Sequence, residues 1–481
     1  MLASAHDATI LDFTELYRVS SFLAIPSPDN TMIATAVDHR LVVRDAESLQ
    51  IVQLFACAAS IDVVAWAHDS NLILVASKLK KSIQVWSIID PDWKCSVDEG
   101  IAGLANVIWA PDGRHLLSFS DFQLRITVWS LITKEASYIQ YPKFSNRGYC
   151  FRKDGRYFAL SERKDGKDTL SIYDCEDWTL LKHFPVDTSD LEDISWSPDG
   201  SFIAVWDSIL EYKLLIYSPD GRLVTSYSAY ETGLGIKTVC WSPSSQFVAI
   251  GSFDEKTRLI NNMTWKPLID FSHPSNLPYP DIKVYKESNQ RDIKDISKLK
   301  VWSVTVKHYI VSFSLTDELI KPPITVPSIR AEIEKVITPK RGVGICEFNC
   351  DGRYLATRND NMPNALWIWD LINLQQVALV QQITSIKQIC WNPVVPGLCA
   401  ISCSNSYVYL WSSGNSGFND GGNDVGFGGD DDDDDAGIGG CSAIEVPAVN
   451  FQIAQIRWTP DGRSMVLMDK DKFCLAFLVE G

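Results

Sequence analysis

Histidine and cysteine are the residues of this chain whose spacing could hold a metal ion or support acid–base catalysis. The seven histidines stand singly and form no HxxxH or HxxE arrangement. Two cysteine pairs are close in sequence, Cys346 with Cys350 and Cys399 with Cys403. Each pair has three intervening residues instead of the two of a common zinc motif, and lies in or beside predicted strands. We therefore predict no metal site and no catalytic residues.

Phosphate-binding and cation-binding loops are also missing from the sequence. No GxxxxGK[ST] loop occurs, and no GxGxxG follows a predicted strand, so no nucleotide cofactor is predicted. The six aspartates at 430–435 could chelate Ca²⁺ weakly, but no EF-hand spacing accompanies them. A solvated spacer explains this run better. The sequence predicts a protein that is not an enzyme and needs no cofactor.

Charge and cysteine content narrow the classes of partner and compartment. The formal net charge is -16, whereas a phosphate backbone or an anionic membrane attracts clustered Lys and Arg. We therefore expect neither nucleic acid nor membrane as the main partner. The 12 cysteines are too dispersed for a disulfide scaffold. The N-terminus lacks a signal-peptide pattern and no run of about 18 apolar residues occurs, so a cytoplasmic location is predicted.

One short pattern recurs along the whole chain. Residues 194–206 read ISWSPDGSFIAVW, and similar stretches occupy 107–119 and 456–468. Alternating apolar residues lead to Trp196, a Pro-Asp-Gly turn follows, and the alternation then resumes. The pattern predicts a β-hairpin that is used repeatedly.

The aromatic residue before each turn serves as an anchor for counting the repeats. Six of the eight spacings between anchors lie between 40 and 45 residues, the length of one four-stranded propeller blade. A third predicted strand ending in an aromatic and a small polar residue follows most anchors, as in ITVWS at 126–130 and LWIWD at 366–370. The nine anchor positions are Pro26, Trp66, Trp109, Phe151, Trp196, Trp241, Phe348, Trp391 and Trp458.

Nine such units predict an all-β WD-repeat β-propeller, a single nine-bladed ring whose anchors pack between neighbouring blades. The last unit lacks a fourth strand, while a spare apolar segment, residues 8–13, precedes the first unit. We expect this segment to pair with residues 473–478 and close the ring. The alternatives are a seven-bladed ring with extra units and two incomplete propellers. Two insertions are predicted: 272–340 between blades six and seven, and a disordered, acidic Gly/Asp-rich loop at 413–440.

The face that carries the blade-to-blade links and the links from second to third strands is the candidate docking surface. Non-repeat residues concentrate there, and seven of them are candidates for protein binding. The alternative is that Asn and Asp form local turns and that Tyr212 packs on a neighbour. Lysines at 78, 80 and 81 and basic residues at 163, 164 and 167 lie in links on this face and are interpreted as solvated turns. The candidate residues are Glu99, Glu211, Tyr212, Glu231, Asn359, Asp360 and Asn361.

Several stretches that no blade requires resemble one family of WD-repeat proteins. They include WKCSVDEGIAGL at 93–104, LEYKLLIYSPDGRLVTSYSAYE at 210–231 and RNDNMPNALWIWDL at 358–371. In these the chain is similar to the centrosomal and spindle-pole WD-repeat protein eight family, also described as the product antisense to the p73 locus. The insertion at 272–340 is only partly alike, and the loop at 413–440 departs from the family pattern.

The resemblance implies a non-enzymatic scaffold with a coiled-coil partner. Members of the family help to anchor microtubule minus ends at centrosomes and spindle poles or, in plants, at cortical γ-tubulin nucleation sites. The γ-tubulin complex, minus-end kinesins and severing factors are the further partners that it implies. A cytoskeletal location follows from the same resemblance.

Two other functions compete with this expectation. A substrate receptor of a ubiquitin ligase would be expected to carry a WDxR box, but Trp206-Asp207 is followed by Ser-Ile and Trp369-Asp370 by Leu-Ile. An RNA-associated propeller, like those of translation initiation factors, would be expected to show a basic footprint, which this sequence lacks.

Overall fold

The structure, a computed structural model, describes residues 10–277, 282–287, 310–311, 324–328, 341–414 and 440–479. These residues form β-strands and two short 3-10 turns, Gly100–Ala102 and Asp121–Gln123. The acidic run and most of the loop predicted at 413–440 lie outside the described residues, as does most of the insertion predicted at 272–340. The chain divides into two compact units.

The larger unit, here called the six-blade unit, comprises Arg18–Ser272 and Lys340–Cys346. Each of its blades is an antiparallel sheet of four consecutive strands. The first two strands of the chain, β1 (Ile10–Phe13) and β2 (Tyr17–Arg18), precede them. Blades one to three consist of β3 (Ala24–Pro26), β4 (Met32–Val37), β5 (Arg40–Asp45), β6 (Ile51–Ala56), β7 (Val63–Trp66), β8 (Leu72–Ser77), β9 (Ser82–Ser87), β10 (Lys94–Asp98), β11 (Asn106–Trp109), β12 (His115–Phe119), β13 (Arg125–Ser130) and β14 (Ala136–Gln140).

Blades four to six continue the same pattern in the six-blade unit. Their strands are β15 (Tyr149–Phe151), β16 (Tyr157–Lys164), β17 (Lys167–Asp174), β18 (Leu180–Pro185), β19 (Leu191–Trp196), β20 (Ile203–Asp207), β21 (Leu214–Tyr217), β22 (Leu223–Tyr227), β23 (Ile236–Trp241), β24 (Phe247–Ser252), β25 (Lys256–Asn261) and β26 (Pro267–Ser272).

The smaller unit, here called the three-blade unit, comprises Met1–Tyr17, His273–Pro339 and Glu347–Gly481. Part of the insertion forms four short strands: β27 (Asn276–Leu277), β28 (Lys283–Lys286), β29 (Ile310–Val311) and β30 (Ile324–Thr325). The boundary between the two units falls within β31 (Val343–Phe348). The remaining strands are β32 (Tyr354–Asn359), β33 (Ala365–Asp370), β34 (Gln375–Gln381), β35 (Gln388–Trp391), β36 (Leu398–Ser402), β37 (Tyr407–Ser412), β38 (Cys441–Glu445), β39 (Gln455–Trp458), β40 (Ser464–Met468) and β41 (Lys472–Val479).

Blades seven, eight and nine are built on β31–β34, β35–β38 and β39–β41. Strand β28 adds a parallel fifth strand to β34, and β29 adds an antiparallel one to β38. In blade nine, β1 pairs antiparallel with β41, with Leu11 opposite Leu478 and Phe13 opposite Ala476. The prediction that the N-terminal strand completes the last blade is confirmed. The fold class, an all-β WD-repeat propeller, is also confirmed, with nine blades among the described residues.

The turn after the anchor shows why the SPDG sequence recurs. The Ser197 hydroxyl donates a 2.5 Å hydrogen bond to Asp199 Oδ1, and the same carboxylate accepts from the backbone N–H of Ser201 at 3.1 Å. Gly200 adopts a φ of 74°, where a side chain is strained. Together these residues hold the chain reversal between β19 and β20.

Anchor tryptophans join successive blades, as the sequence predicts. Trp66 is 8% exposed, and its indole N–H donates to the carbonyl of Ile25 in the preceding blade at 3.0 Å. Within the three-blade unit, Trp458 makes the equivalent 2.9 Å bond to Cys390. In each case the acceptor is a backbone carbonyl of the preceding blade, in the residue directly N-terminal to the anchor of that blade. The indole thus satisfies a buried donor while it fills the space between two sheets.

Candidate protein-binding site

The second-to-third strand links and the blade-to-blade links of the six-blade unit lie at the same end of its blades. The backbone N–H of Glu99, in a blade link, donates to the carbonyl of Lys81 in a strand link at 3.0 Å. Arg163 and Tyr141 make the same kind of bond at 3.0 Å. This surface, called the link face below, carries four of the seven candidate residues.

Glu99 is a buried structural residue. Its carboxylate accepts hydrogen bonds from the Ser118 hydroxyl and, at 2.6 Å, from the indole N–H of Trp129. Only 7% of the residue is exposed. Its side chain therefore ties the link before blade three to the second and third strands of that blade.

The three-blade unit repeats this arrangement with different residues, which the sequence analysis missed. The Thr357 hydroxyl accepts from the Trp369 indole N–H at 2.7 Å and lies 2.8 Å from His273 Nε2. All three side chains are buried. The signal in the sequence was a hydroxyl residue in a second strand, two positions from the residue that pairs with the aromatic at the end of the third.

Glu211 and Tyr212 are neighbours with different surroundings. Glu211 is exposed, and its carboxylate accepts a 2.6 Å hydrogen bond from Ser189 Oγ. Tyr212 is buried, its ring packs edge-on to Tyr230 at 4.8 Å, and burial raises the pKa of its hydroxyl. The packing alternative weighed for Tyr212 is what the structure shows. Glu211 is the member of this pair that a partner can reach.

Glu231 lies exposed in the link before blade six. That link is held close to the preceding strand link, since the backbone N–H of Gly235 donates to the carbonyl of Ile209 at 2.7 Å. A Cβ on Gly235 would approach the Glu211 carbonyl oxygen to 2.1 Å, so only glycine fits there. The close contact keeps Glu211 and Glu231 on one surface.

The Asn359, Asp360 and Asn361 group lies in the three-blade unit and forms a local turn. Asn359 is fully buried, and its Oδ1 accepts a 3.1 Å hydrogen bond from the backbone N–H of Asn361. Asp360 forms an ion pair with Arg358. This is the turn geometry weighed as the alternative. Contact of these three residues, and of the other four candidates, with a partner stays a prediction.

A buried ion network supports the link before blade five. The Lys143 ammonium lies 2.9 Å from Asp168 and 2.8 Å from Asp190. The hydrogen bond from Lys143, with a second from Arg163, lowers the pKa of Asp190. Two carboxylates around one buried lysine compensate its charge, so the network holds the link in place.

Among the described residues, no group of three or more His, Cys, Asp or Glu side chains could hold a metal ion. Burial raises the pKa of the Cys150 and Cys474 thiols to about 12 and of the Cys57 thiol to about 11. These thiols stay protonated at neutral pH and act as small apolar side chains. No helix in the described ranges has the length and hydropathy to cross a membrane.

The repeated blades with aromatic anchors and aromatic-polar third strands define a WD-repeat β-propeller protein. Residues 221–261 match the family model described as WD domain, G-beta repeat. The mouse WD repeat-containing protein WRAP73 is 42% identical over 470 residues, which cover 97% of this chain and 96% of that protein. The chain therefore belongs to the WRAP73 family of WD repeat-containing proteins, and the family resemblance seen in the sequence is confirmed.

Two more distant matches are also found. A WD repeat-containing protein of Schizosaccharomyces pombe is 23% identical over 98% of this chain and 93% of its own length. Among solved structures, the C-terminal WD40 domain of Sif2 aligns with 91% of this chain and 99% of that domain, at 12% identity and a TM-score of 0.46.

Proposed function

We propose that this protein is a non-enzymatic scaffold that, with a coiled-coil partner, anchors microtubule minus ends or nucleation complexes. Centrosomes, spindle poles or cortical γ-tubulin sites are the proposed locations. The observation that carries the proposal is the 42% identity to mouse WRAP73 over nearly the whole of both chains. The aligned region spans nearly the whole of both chains and therefore includes the blade links as well as the strands.

The described residues support a binding role. Within them, the polar cluster of Glu99 with Ser118 and Trp129 is a closed structural contact. A depression of about 820 Å³ lies in the three-blade unit and is lined by residues 404–406 and 445–452. It is shallow and carries one carboxylate, Glu445, which is too few groups for acid–base chemistry.

Affinity purification of the tagged full-length chain, followed by mass spectrometry, tests the proposal. Recovery of a coiled-coil protein together with the γ-tubulin complex is the expected result. Cullin adaptors in their place would assign the chain to ubiquitin ligation, and ribosomal subunits would assign it to translation initiation. A minus-end kinesin or a severing factor in the same sample would extend the expected set.

Two candidate carboxylates in strand links give a second test. Glu211→Ala combined with Asp360→Ala is expected to weaken recovery of the coiled-coil partner, because both carboxylates lie in second-to-third strand links. Asp220→Ala with Asp351→Ala serves as the matched control. It removes two exposed carboxylates from a third-to-fourth strand turn and a first-to-second strand turn. Circular dichroism should be unchanged in both variants. Equal recovery with both would remove Glu211 and Asp360 from the proposed contact.

A further inference from the structure

Several exposed apolar side chains lie on the link face of blades two to four. Ile101 is fully exposed, Phe122 is 91% exposed and Leu79 is 78% exposed. Each lies in a link, a position at which the fold would equally accept a polar residue. Monomeric proteins seldom keep several large apolar residues adjacent and open to water. The five residues of this group, called the apolar strip, are Leu79, Ile101, Phe122, Leu124 and Tyr141.

Contacts between neighbouring links make the apolar strip continuous. The Leu79 and Ile101 links are joined by the Lys81–Glu99 backbone hydrogen bond. The Ile101 and Phe122 links touch at Gly103, where a Cβ would meet the side chain of Asp121 at 1.9 Å. Arg125 pairs with Gln140 in the sheet, so Leu124 and Tyr141 leave the same end of adjacent strands.

Lysines lie at both ends of the apolar strip. At one end, Tyr141 lies beside the hairpin tip of blade four. There Lys164 Nζ is 5.2 Å from the centre of the Tyr141 ring. Five lysines of the second-to-third strand links of blades two and four form no ion pair within the part of the chain that the structure describes. They are Lys78, Lys80, Lys81, Lys164 and Lys167.

Some carboxylates lie among these lysines, and two of them are used by the backbone. Asp62 Oδ2 accepts from the N–H of Lys78 at 2.7 Å, and Asp98 Oδ1 accepts from the N–H of Gly100 at 2.9 Å. Asp121 packs under Gly103, and Asp165 stands exposed at the hairpin tip. The five lysines outnumber these four carboxylates, so the ends of the apolar strip carry a slight positive excess in a chain whose net charge is -16.

We propose that the apolar strip and its five lysines bind an acidic segment of a partner protein, whose apolar side chains cover the strip while its carboxylates meet the lysines. The inference rests on the proposed scaffold function and names the chemistry of the partner. Charge complementarity selects the occupant, because a basic segment would meet lysines at both ends. An anionic membrane would meet the same lysines, but the strongly acidic remainder of the chain would oppose it.

Photo-crosslinking identifies the segment. The photoreactive residue p-benzoylphenylalanine is incorporated in the full-length chain in place of Phe122, and in a control in place of Ile132, an exposed residue of a third-to-fourth strand turn. Irradiation in cells followed by peptide sequencing should give one recurrent acidic segment with apolar residues for position 122 and not for position 132. A basic or neutral segment, or no recurrent segment, would overturn the inference.

Binding of that segment, synthesised as a labelled peptide, is then measured by fluorescence anisotropy with the full-length chain. Ile101→Ser with Phe122→Ser should weaken binding about 30-fold, since buried apolar residues at the centre of an interface dominate affinity. Lys80→Glu with Lys164→Glu should weaken it about tenfold and reduce its salt dependence. Ile89→Ser with Ile132→Ser, two exposed apolar residues elsewhere in blades two and three, should leave the affinity unchanged.

Two results separate this inference from the proposed function. An acidic segment from a protein without a coiled coil would keep the apolar strip as a docking site and contradict the proposed partner. If the Ile101→Ser and Phe122→Ser variant recovers the coiled-coil partner with full affinity, the scaffold function stands. The apolar strip is then not the docking site. Binding of the wild-type chain to phosphatidylserine vesicles that this variant loses would assign the strip to a membrane instead.

Discussion

The two units differ in how their blades obtain outer strands. In the six-blade unit every blade takes four consecutive strands, and β6, β10, β14, β18, β22 and β26 carry no further strand in the described residues. In the three-blade unit β28 and β29 cover the outer strands of blades seven and eight, and β1 supplies the fourth strand of blade nine. The six-blade unit is therefore built by local pairing, whereas the three-blade unit depends on distant segments.

The difference has a physical reason. An uncovered edge strand exposes backbone N–H and C=O groups, and a segment that pairs with it removes that liability. Bringing such a segment from far along the chain costs loop-closure entropy, although that cost grows slowly with length. The backbone N–H of Leu475 donates to the Thr14 hydroxyl at 3.0 Å across almost the whole sequence. The three-blade unit is thus the region most sensitive to changes at the ends of the chain.

Leu11→Asp should have the largest effect and should act on the three-blade unit. Leu11 is 2% exposed within a core that includes Trp458 and Leu467. A carboxylate there would lose apolar burial and bury a charge, costing about 5 kcal/mol or more. Hydrogen exchange should increase sharply in β41 and remain slow in β20. Asp12→Ala, at the exposed neighbouring position, is the control, and unchanged exchange in β41 of the Leu11 variant would contradict the role of β1.

Trp196→Ala tests the six-blade unit in the same way. Trp196 is 7% exposed and packs in the core shared by blades four and five. Truncation of a buried large aromatic costs about 3 to 5 kcal/mol. Urea denaturation followed by far-UV circular dichroism should show the loss, with hydrogen exchange faster in β16 and β20. An unaltered denaturation midpoint would mean that the anchor does not carry the packing between these blades.

Replacing an anchor by phenylalanine sharpens the comparison, because the indole N–H has a partner at some anchors and lacks one at others. Trp458 donates to Cys390, whereas Trp196 Nε1 has no hydrogen-bond partner among the described residues. Trp458→Phe should therefore cost about 1 kcal/mol more than Trp196→Phe. The two free energies of unfolding, measured in urea, decide the point. Equal costs would show that the indole bond contributes nothing net.

Glu162→Gln should give the smallest effect, confined to one pH range and to the six-blade unit. Burial raises the pKa of Glu162 above its ordinary value of 4.5, although the Tyr173 hydroxyl donates to its carboxylate at 2.9 Å and His183 lies 3.7 Å away. The neutral carboxyl is favoured in the folded state. Its stabilising contribution is therefore present below pH 4.5 and is lost as the pH rises through the folded-state pKa.

The glutamine variant keeps a neutral side chain at every pH. Its melting temperature should rise relative to wild type between pH 4.5 and 7, by an amount equivalent to about 1 kcal/mol or less. Glu176→Gln, at an exposed position of the same blade, provides the matched control. A difference between variant and wild type that is constant with pH would show that Glu162 is ionised in the folded protein throughout this range.

The sequence predicted most of the repeat and little of the side-chain roles. Anchor positions such as Trp66, the Pro-Asp-Gly turns and the pairing of β1 with β41 followed from period and alternation, which are local properties. Glu99 and Tyr212 were selected because no blade requires them. Their burial depends on Trp129 and Tyr230, residues whose proximity no local pattern encodes. The pairing of β28 and β29 with outer strands was missed for the same reason.

Hydrophobic period and turn chemistry by themselves predicted nine units, their boundaries and the extra strand of the last blade, because a β-strand pattern is written in consecutive residues. They left a seven-bladed ring and two incomplete propellers as alternatives. Only the tertiary structure decided which polar link residues are buried and which are exposed. It also brought Leu79, Ile101 and Phe122, three apolar residues from three separate links, into one surface. Distances between links depend on how neighbouring sheets pack, and that packing is a property of the assembled blades.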